Sequence, residues 1–335
     1  MPSSLLSSAV SLSIASLAAA QAPTWYGLRP QENALNSVEL LDLTDGAVVR
    51  SVLGSVKLGA GEYAWPDAVR CLPGFCLFAT SVVASGPGAE DESFIYKIST
   101  VNAQVIYKAS APGICAHMHA DFTTGHAYTL CIEDSSTGYR AVVTEVTGTQ
   151  PIAVADITDN VAKGKVAPGQ TTHCSAFKSM YVGVDNGGAG KDVVIAVDLT
   201  AGKVSKVTTL ADPLPSSLWA TCDGSGVIGG LSFAPGATPT MNGTATFGAF
   251  DANGNYKVDS TVGVWANHVP SGLLTGTSPA SFQDAFIAAF YPEGTLSNAS
   301  STKGAIWAVD PYGGGSDDIV TAFSYYLVGA AWDRE

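Results

Sequence analysis

The sequence predicts an all-β chain folded as a single β-propeller of four-stranded blades, on three observations. A two-strand unit, in which a polar turn separates two apolar strands, recurs through the chain. Its turns are marked by Asp42, Lys97, Glu145, Asp198, Asp251 and Asp310, at intervals of 55, 48, 53, 53 and 59 residues. A second kind of hairpin falls between successive units, so each repeat holds four strands. No segment of helical length with a 3.6-residue apolar period stands out after the first twenty residues.

Taken in order, Thr24-Trp25-Tyr26-Gly27-Leu28 reads as a lone strand before the first full hairpin, Glu39 to Gly46. The alternate hairpins are read at Arg70 to Phe78, Asp121 to Tyr128, Cys174 to Val182, Cys222 to Ile228 and Gln283 to Ala288. Asp and Asn suit the turns because their side chains bond the backbone two residues on, and Gly supplies positive φ. The last stretch, Ala330-Ala331-Trp332-Asp333, reads as an incomplete blade that the first strand completes, a closure that removes exposed sheet edges. Six units at this spacing fit blades of about 40–50 residues. Six blades is therefore the expectation, with seven as the alternative left open by the long 251-to-310 step.

The repeat runs without a linker-like break, so residues 21–335 are expected to form one domain. Residues 1–20 read as a signal peptide: an apolar Ser- and Ala-rich run ends in Ala18-Ala19-Ala20, although its start carries no Lys or Arg. The run is short of the roughly 20 apolar residues of a spanning helix, and no later segment reaches that length. A secreted, extracellular protein without a membrane span is the reading.

Six cysteines agree with an oxidising compartment. Fifteen pairings are open to them, and the preferred one joins strands that the fold already brings together: Cys71 with Cys76, Cys115 with Cys131, and Cys174 with Cys222. No Cys-x-x-Cys pair suggests zinc. Sequons at Asn242 and Asn298 lie in predicted loops and suit N-glycosylation. With 29 acidic against 16 basic residues and no basic run, the chain is not built to bind nucleic acid or acidic glycans through a broad basic patch.

In a propeller the inner strands of all blades surround a central channel, so candidate functional residues are sought in the segments that begin those strands. Four of the five histidines fall there: His117, His119, His173 and His268. His117 and His119 alternate by two, which puts both on one face of a regular strand. His117, His119 and His173 are the candidate ligands of one divalent metal ion on the axis, and with Glu62 the candidate general bases. Trp65, Asp67, Trp219, His268 and Tyr325 are candidate ligand contacts, the aromatic rings by stacking; the bland reading of those rings is packing between blades. Asp42, Asp198, Asp251 and Asp310 recur at one position of the repeat and read as turn formers rather than as a catalytic set.

The run Val194 to Val204, with Ala196-Val197-Asp198-Leu199-Thr200-Ala201-Gly202-Lys203 at its centre, resembles the blade hairpin of six- and seven-bladed propellers of the NHL, lactonase and quinoprotein-like groups, and Ala305 to Asp310 is similar. The resemblance implies a fold and leaves the activity open. In the gluconolactonase and regucalcin group one divalent cation is held on the axis by Glu, Asn and Asp side chains. The nearest candidates in this chain are Glu62, Asn267 and Asp67, in surroundings that do not match that group's motifs. Two functions follow. The first is a secreted, monomeric propeller that binds a small molecule, glycan or protein partner at one face of the channel. The alternative is an extracellular lactonase- or hydrolase-like enzyme with an axial metal or general base.

Overall fold

A computed structural model of the protein describes residues 25–31, 34–42, 51–82, 92–135, 138–161, 166, 170–175, 177–188, 190–220, 228–234, 243–264, 268–274, 286–292, 304–309, 318–323 and 329–332. The described chain is all-β. In order its strands are β1 (Trp25–Gln31), β2 (Ala34–Asp42) and β3 (Ser51–Lys57); β4 (Tyr63–Leu72), β5 (Phe75–Val82), β6 (Glu92–Ser99) and β7 (Val105–Pro112); and β8 (Ile114–Asp121), β9 (His126–Ser135), β10 (Gly138–Glu145) and β11 (Ile152–Asp156). After the single-turn helix α1 (Thr158–Val161) come β12 (Thr171–Cys174), β13 (Ser179–Val184), β14 (Val193–Asp198) and β15 (Lys203–Thr209). The series continues with β16 (Ser217–Ala220), β17 (Ile228–Ala234), β18 (Gly243–Phe250), β19 (Tyr256–Val264), β20 (His268–Leu274), β21 (Phe286–Pro292), β22 (Gly304–Val309) and β23 (Asp318–Phe323), and ends at β24 (Gly329–Trp332).

These strands form six four-stranded antiparallel sheets. Five are simple meanders of consecutive strands, and the sixth has the order β24-β1-β2-β3, with Trp25 opposite Trp332 and Leu28 opposite Gly329. The first strands of the sheets lie side by side in cyclic succession: β4 next to β8, then β12, β16, β20 and β24, which lies against β4 again. The arrangement is propeller-like.

Alternation explains why the sheets stack. Along β5, Cys76 and Phe78 point into a core shared with the β24-β1-β2-β3 sheet, where Leu28, Leu40 and Val56 lie, while Leu77 and Ala79 point into a core shared with the β8–β11 sheet, where Met118 and Cys131 lie. Along β13, Met180, Val182 and Val184 meet Leu130, Val143 and Ile157, whereas Tyr181 on the opposite face meets Leu218. A strand apolar on both faces must be covered on both. The fourth strands are different: β15 is exposed along most of its length.

Each pairing of a third strand with a fourth carries a β-bulge, after Leu40, Lys97, Val143, Ala196, Phe247 and Ile306. The register leaves Leu53, Ile106, Val154, Ser205, Asp259 and Val320 of the fourth strands unpaired there. An extra residue bends and twists the outermost strand, which blunts an edge that would otherwise pair with another chain.

Turn chemistry follows the sequence at Asp198 and Asp251, while Asp310 and the turn after Asp42 lie outside the described residues. Asp198 ends β14 and its Oδ1 accepts the amides of Thr200 and Ala201, both at 2.8 Å. Gly202 completes this turn at φ 64°, and a Cβ there would stand 2.7 Å from the Val154 carbonyl of the neighbouring sheet. Asp251 accepts the amides of Asn253 and Asn255 in the same manner. Lys97 corrects the expectation: it lies inside β6, and the turn begins at Ser99, whose hydroxyl accepts the Val101 amide. Here Ser and Asn102 do what Asp does in other repeats, so the apolar-to-charged step at Lys97 falls two residues early.

Two disulfides, Cys71–Cys76 and Cys115–Cys131, join residues directly opposite each other in their hairpins. Cys174 is also disulfide-bonded; Cys222, its expected partner, lies outside the described residues, as do residues 1–20, Asn242, Asn298 and Tyr325. No helix among the described residues is long and apolar enough to cross a membrane, which leaves crossing by strands unaddressed.

Leu28 is fully buried between β1 and the β4–β7 sheet, on the strand that pairs with β24. Leu28→Ala is expected to lower unfolding stability by about 3 kcal/mol through lost burial and a residual cavity. Urea denaturation of the two proteins measures it, and a loss below about 1 kcal/mol would show that this sheet contributes little to cooperative folding.

Candidate functional site

A buried polar cluster forms where β8 and β12 run beside each other. His119, 4% exposed, shares a 2.8 Å hydrogen bond between its Nε2 and the Thr171 hydroxyl, directly linking two sheets. Two residues on, His173 Nε2 lies 3.9 Å from Asp121 Oδ2. Asp121 ends β8, and its other oxygen accepts the amides of Thr123 and Thr124, which fixes the carboxylate. The hairpin register then adds the next layer, because Tyr128 stands opposite His119 and His126 opposite Asp121.

Three rings stack across the seam. Tyr128 lies between His173, with centroids 5.9 Å apart, and His126, at 6.3 Å. His126 Nδ1 is 3.6 Å from Glu145 Oε1, and that oxygen also accepts the Thr147 amide at 2.6 Å. Burial pushes the His173 imidazole down to about 4 against the opposing pull of Asp121, so near pH 7 it is neutral and the approach to Asp121 is not an ion pair. Burial, with the charges of Asp121 and Glu145, pushes the Tyr128 hydroxyl up, so it too is neutral.

On β12 and its flanks, Gln170 Oε1, Thr172 Oγ1 and Ser175 Oγ are buried without a hydrogen-bond partner. Each such group costs on the order of 1–3 kcal/mol. Thr172 lies on β12 itself, with Gln170 just before the strand and Ser175 just after it, and such buried polar atoms call for an explanation. The cluster can accept protons and hydrogen bonds through neutral imidazole, and donate through hydroxyls.

Glu62 sits elsewhere. It precedes β4, at the opposite end of its inner strand from Asp121, and its side chain lies over the face of the β4–β7 sheet that meets β1 and β2. Tyr96 donates to its Oε2 at 2.6 Å, Thr80 to the same oxygen at 3.0 Å, and Lys108 Nζ to Oε1. Lys108 in turn lies 3.9 Å over the Phe94 ring. Burial raises the Glu62 carboxyl, but the hydrogen bonds from Lys108, Tyr96 and Thr80 and the Lys108 charge outweigh it and leave the group below the usual carboxylate range. A carboxylate saturated by three donors, one of them an ammonium, does not fit a cation ligand or a proton acceptor.

The other expected residues divide as follows. A bulge between Ala116 and His119 interrupts the alternation on which a shared face for His117 and His119 depends. Of His117 on β8, Trp65 and Asp67 on β4, Trp219 on β16 and His268 on β20, only the backbone is described. Among described residues no group of three or more His, Cys, Asp and Glu side chains is placed to hold a metal ion. His126 and Tyr128 lay outside the inner-strand segments and were not candidates. The His-x-Tyr spacing just after the Asp121 turn would have found them, since a tight hairpin folds that pair back onto β8.

No family model matches the chain, and no curated protein does. Similar solved structures include hydrazine synthase of Kuenenia stuttgartiensis, at 13% identity and a TM-score of 0.48 over 82% of this chain and 71% of that one. A Synechocystis apocarotenoid oxygenase follows at 9% identity and 0.39, over 89% and 72%, and the Dos1 propeller at 10% and 0.41, over 85% and 67%. All three scores are too low for a functional argument, and the architecture rests on the sheets themselves.

Two predictions follow from the charges. His173 has an ordinary value of 6.5 and is depressed on folding, so its contribution is intact above pH 6.5 and is lost as pH falls toward 4. The full loss is roughly 3 kcal/mol, and urea midpoints between pH 7 and 4 should fall less steeply in His173→Gln than in the parent. Glu62→Gln removes the counter-charge of Lys108, which is partly exposed and can turn to water. The expected cost is about 1–2 kcal/mol at pH 7, with no loss of the His173-dependent slope.

Proposed function

We propose that the six sheets are the blades of one closed β-propeller, with β24 on β1 as the closing contact, and that the protein is a secreted binding protein. The cyclic succession of first strands supports the closure, and the disulfides are consistent with an extracellular location. The ligand site of this reading is the β8–β12 seam, where His119, Asp121, Tyr128, Thr171 and His173 would meet a small polar molecule or glycan. The observation that carries it is the direct His119–Thr171 bond and the Asp121–His173 approach on neighbouring inner strands, beside buried polar atoms that have no protein partner. A binding site leaves such groups for its ligand to satisfy.

A second reading has one specific observation in its favour. A neutral imidazole beside a buried carboxylate is the arrangement of a general base, with Asp121 orienting His173 for proton abstraction. In that reading the protein is an extracellular hydrolase, and a divalent ion, if one binds, uses the His117, His119 and His173 side chains on β8 and β12.

The deciding experiment is metal analysis and calorimetry on untagged secreted protein with His119→Ala and His173→Ala variants. The binding reading expects a folded, metal-free protein whose affinity for hits from a panel of glycans and small polar molecules drops at least tenfold in both variants. Stoichiometric metal lost in both variants, or lactone hydrolysis abolished in His173→Ala, would replace it with the enzyme reading. Hits whose affinity is unchanged in both variants would move the site away from this seam.

A further inference from the structure

The outer part of the β8–β11 sheet holds a cavity of about 520 Å3 that is separate from the inner-strand cluster. Its lining is Glu133, Tyr139, Arg140, Asp156, Asp159 and Asn160, with Gly138 and Thr158. We propose that this groove is a saccharide subsite, taking a neutral hydroxyl-rich sugar unit on the rim of the fold.

The geometry gives three reasons. The volume falls within the range of small-molecule sites. The walls are held in place before any ligand arrives. The Ala141 amide donates to Thr158 Oγ1 at 3.0 Å, and that hydroxyl donates to Asp156 Oδ1 at 2.6 Å, while the Thr158 amide reaches the same oxygen at 3.0 Å. This chain pins the corner between β11 and α1 onto β10, and Tyr139 is packed against the apolar core behind it. Pre-organised walls reduce the entropic cost of capture.

The third reason is the chemistry of the rim. Arg140 stands opposite Glu133 in the β9–β10 register, and its Nε lies 3.4 Å from Asp156 Oδ2. Both partners of that pair are half-exposed, at 51% and 54%, so the contact is weak and open to sharing with ligand hydroxyls. Planar carboxylate, amide and guanidinium groups beside an aromatic ring give the alternating acceptors and donors that neighbouring sugar hydroxyls require. Three carboxylates against one guanidinium select against acidic sugars, in keeping with the chain's formal net charge of −13. The Thr158 bonds and, secondarily, Arg140 hold the Asp156 carboxyl below its ordinary range, which keeps it an acceptor in mild acid.

The test uses the intact protein, fluorophore-labelled, on an array of neutral, sialylated and sulfated oligosaccharides, with a tetra-arginine peptide as a cationic probe. Arg140→Gln, Asp159→Ala and Asn160→Ala remove rim groups, and Lys203→Ala on β15 is the control for a charge change elsewhere. Melting curves confirm that each variant folds. The proposal expects binding to neutral oligosaccharides that weakens at least tenfold in the three rim variants and not in Lys203→Ala. A preference for acidic glycans, binding of the peptide alone, or no binding at millimolar sugar would overturn it. So would sugar binding abolished by His119→Ala but untouched by Arg140→Gln, since that sugar would occupy the inner-strand site.

Discussion

Strands β5, β13 and β14 bury side chains on both faces, so the sheets that contain them cannot stand alone in water. Each of these sheets is stable only because its neighbours cover it. This mutual coverage is the constraint on which the rest depends. It places the first strands side by side, gives β24 its position on β1, and leaves the fourth strands outermost. The bulge repeated in every third-to-fourth pairing is the counterpart of that exposure, since it disrupts the one edge that stacking leaves uncovered.

Stacking also decides where polar chemistry can lie. The cores between sheets are apolar, and where Glu62 is buried over the β4–β7 sheet its carboxylate is matched by Lys108, Tyr96 and Thr80 of that same sheet. At the β8–β12 seam the polar groups are only partly matched: His119 has Thr171, yet Gln170 Oε1, Thr172 Oγ1 and Ser175 Oγ have no partner. A fully satisfied network rigidifies a fold, while each buried polar atom without a partner costs stability. The difference separates two clusters that sequence reading alone treats alike, as charged or polar residues on or beside an inner strand.

Much of the architecture was legible in the sequence because turns are local. Asp198 and Asp251 bond amides two to four residues away, so their roles need no tertiary information. The pairings Cys71–Cys76 and Cys115–Cys131 were legible for the same reason, as each closes within one hairpin. Lys97 misplaced a turn because Ser99 and Asn102 can replace Asp there, and a pattern search keyed to one residue type cannot see a substitution of equal hydrogen-bonding capacity. The register shift between Ala116 and His119 was not legible, because a bulge is a property of pairing between strands, not of either strand alone.

By itself, then, the sequence determined the class of fold, the repeat length, the local turns and the cysteine bridges within hairpins, all set by interactions over a few residues. Only the tertiary structure decided which polar residues meet: Asp121 with His173, Tyr128 between His173 and His126, and Glu62 with Lys108 instead of with a histidine. The physical reason is distance along the chain. His119 and Thr171 lie 52 residues apart, and their contact depends on how two sheets rotate and shift against each other as they stack, which no local pattern encodes.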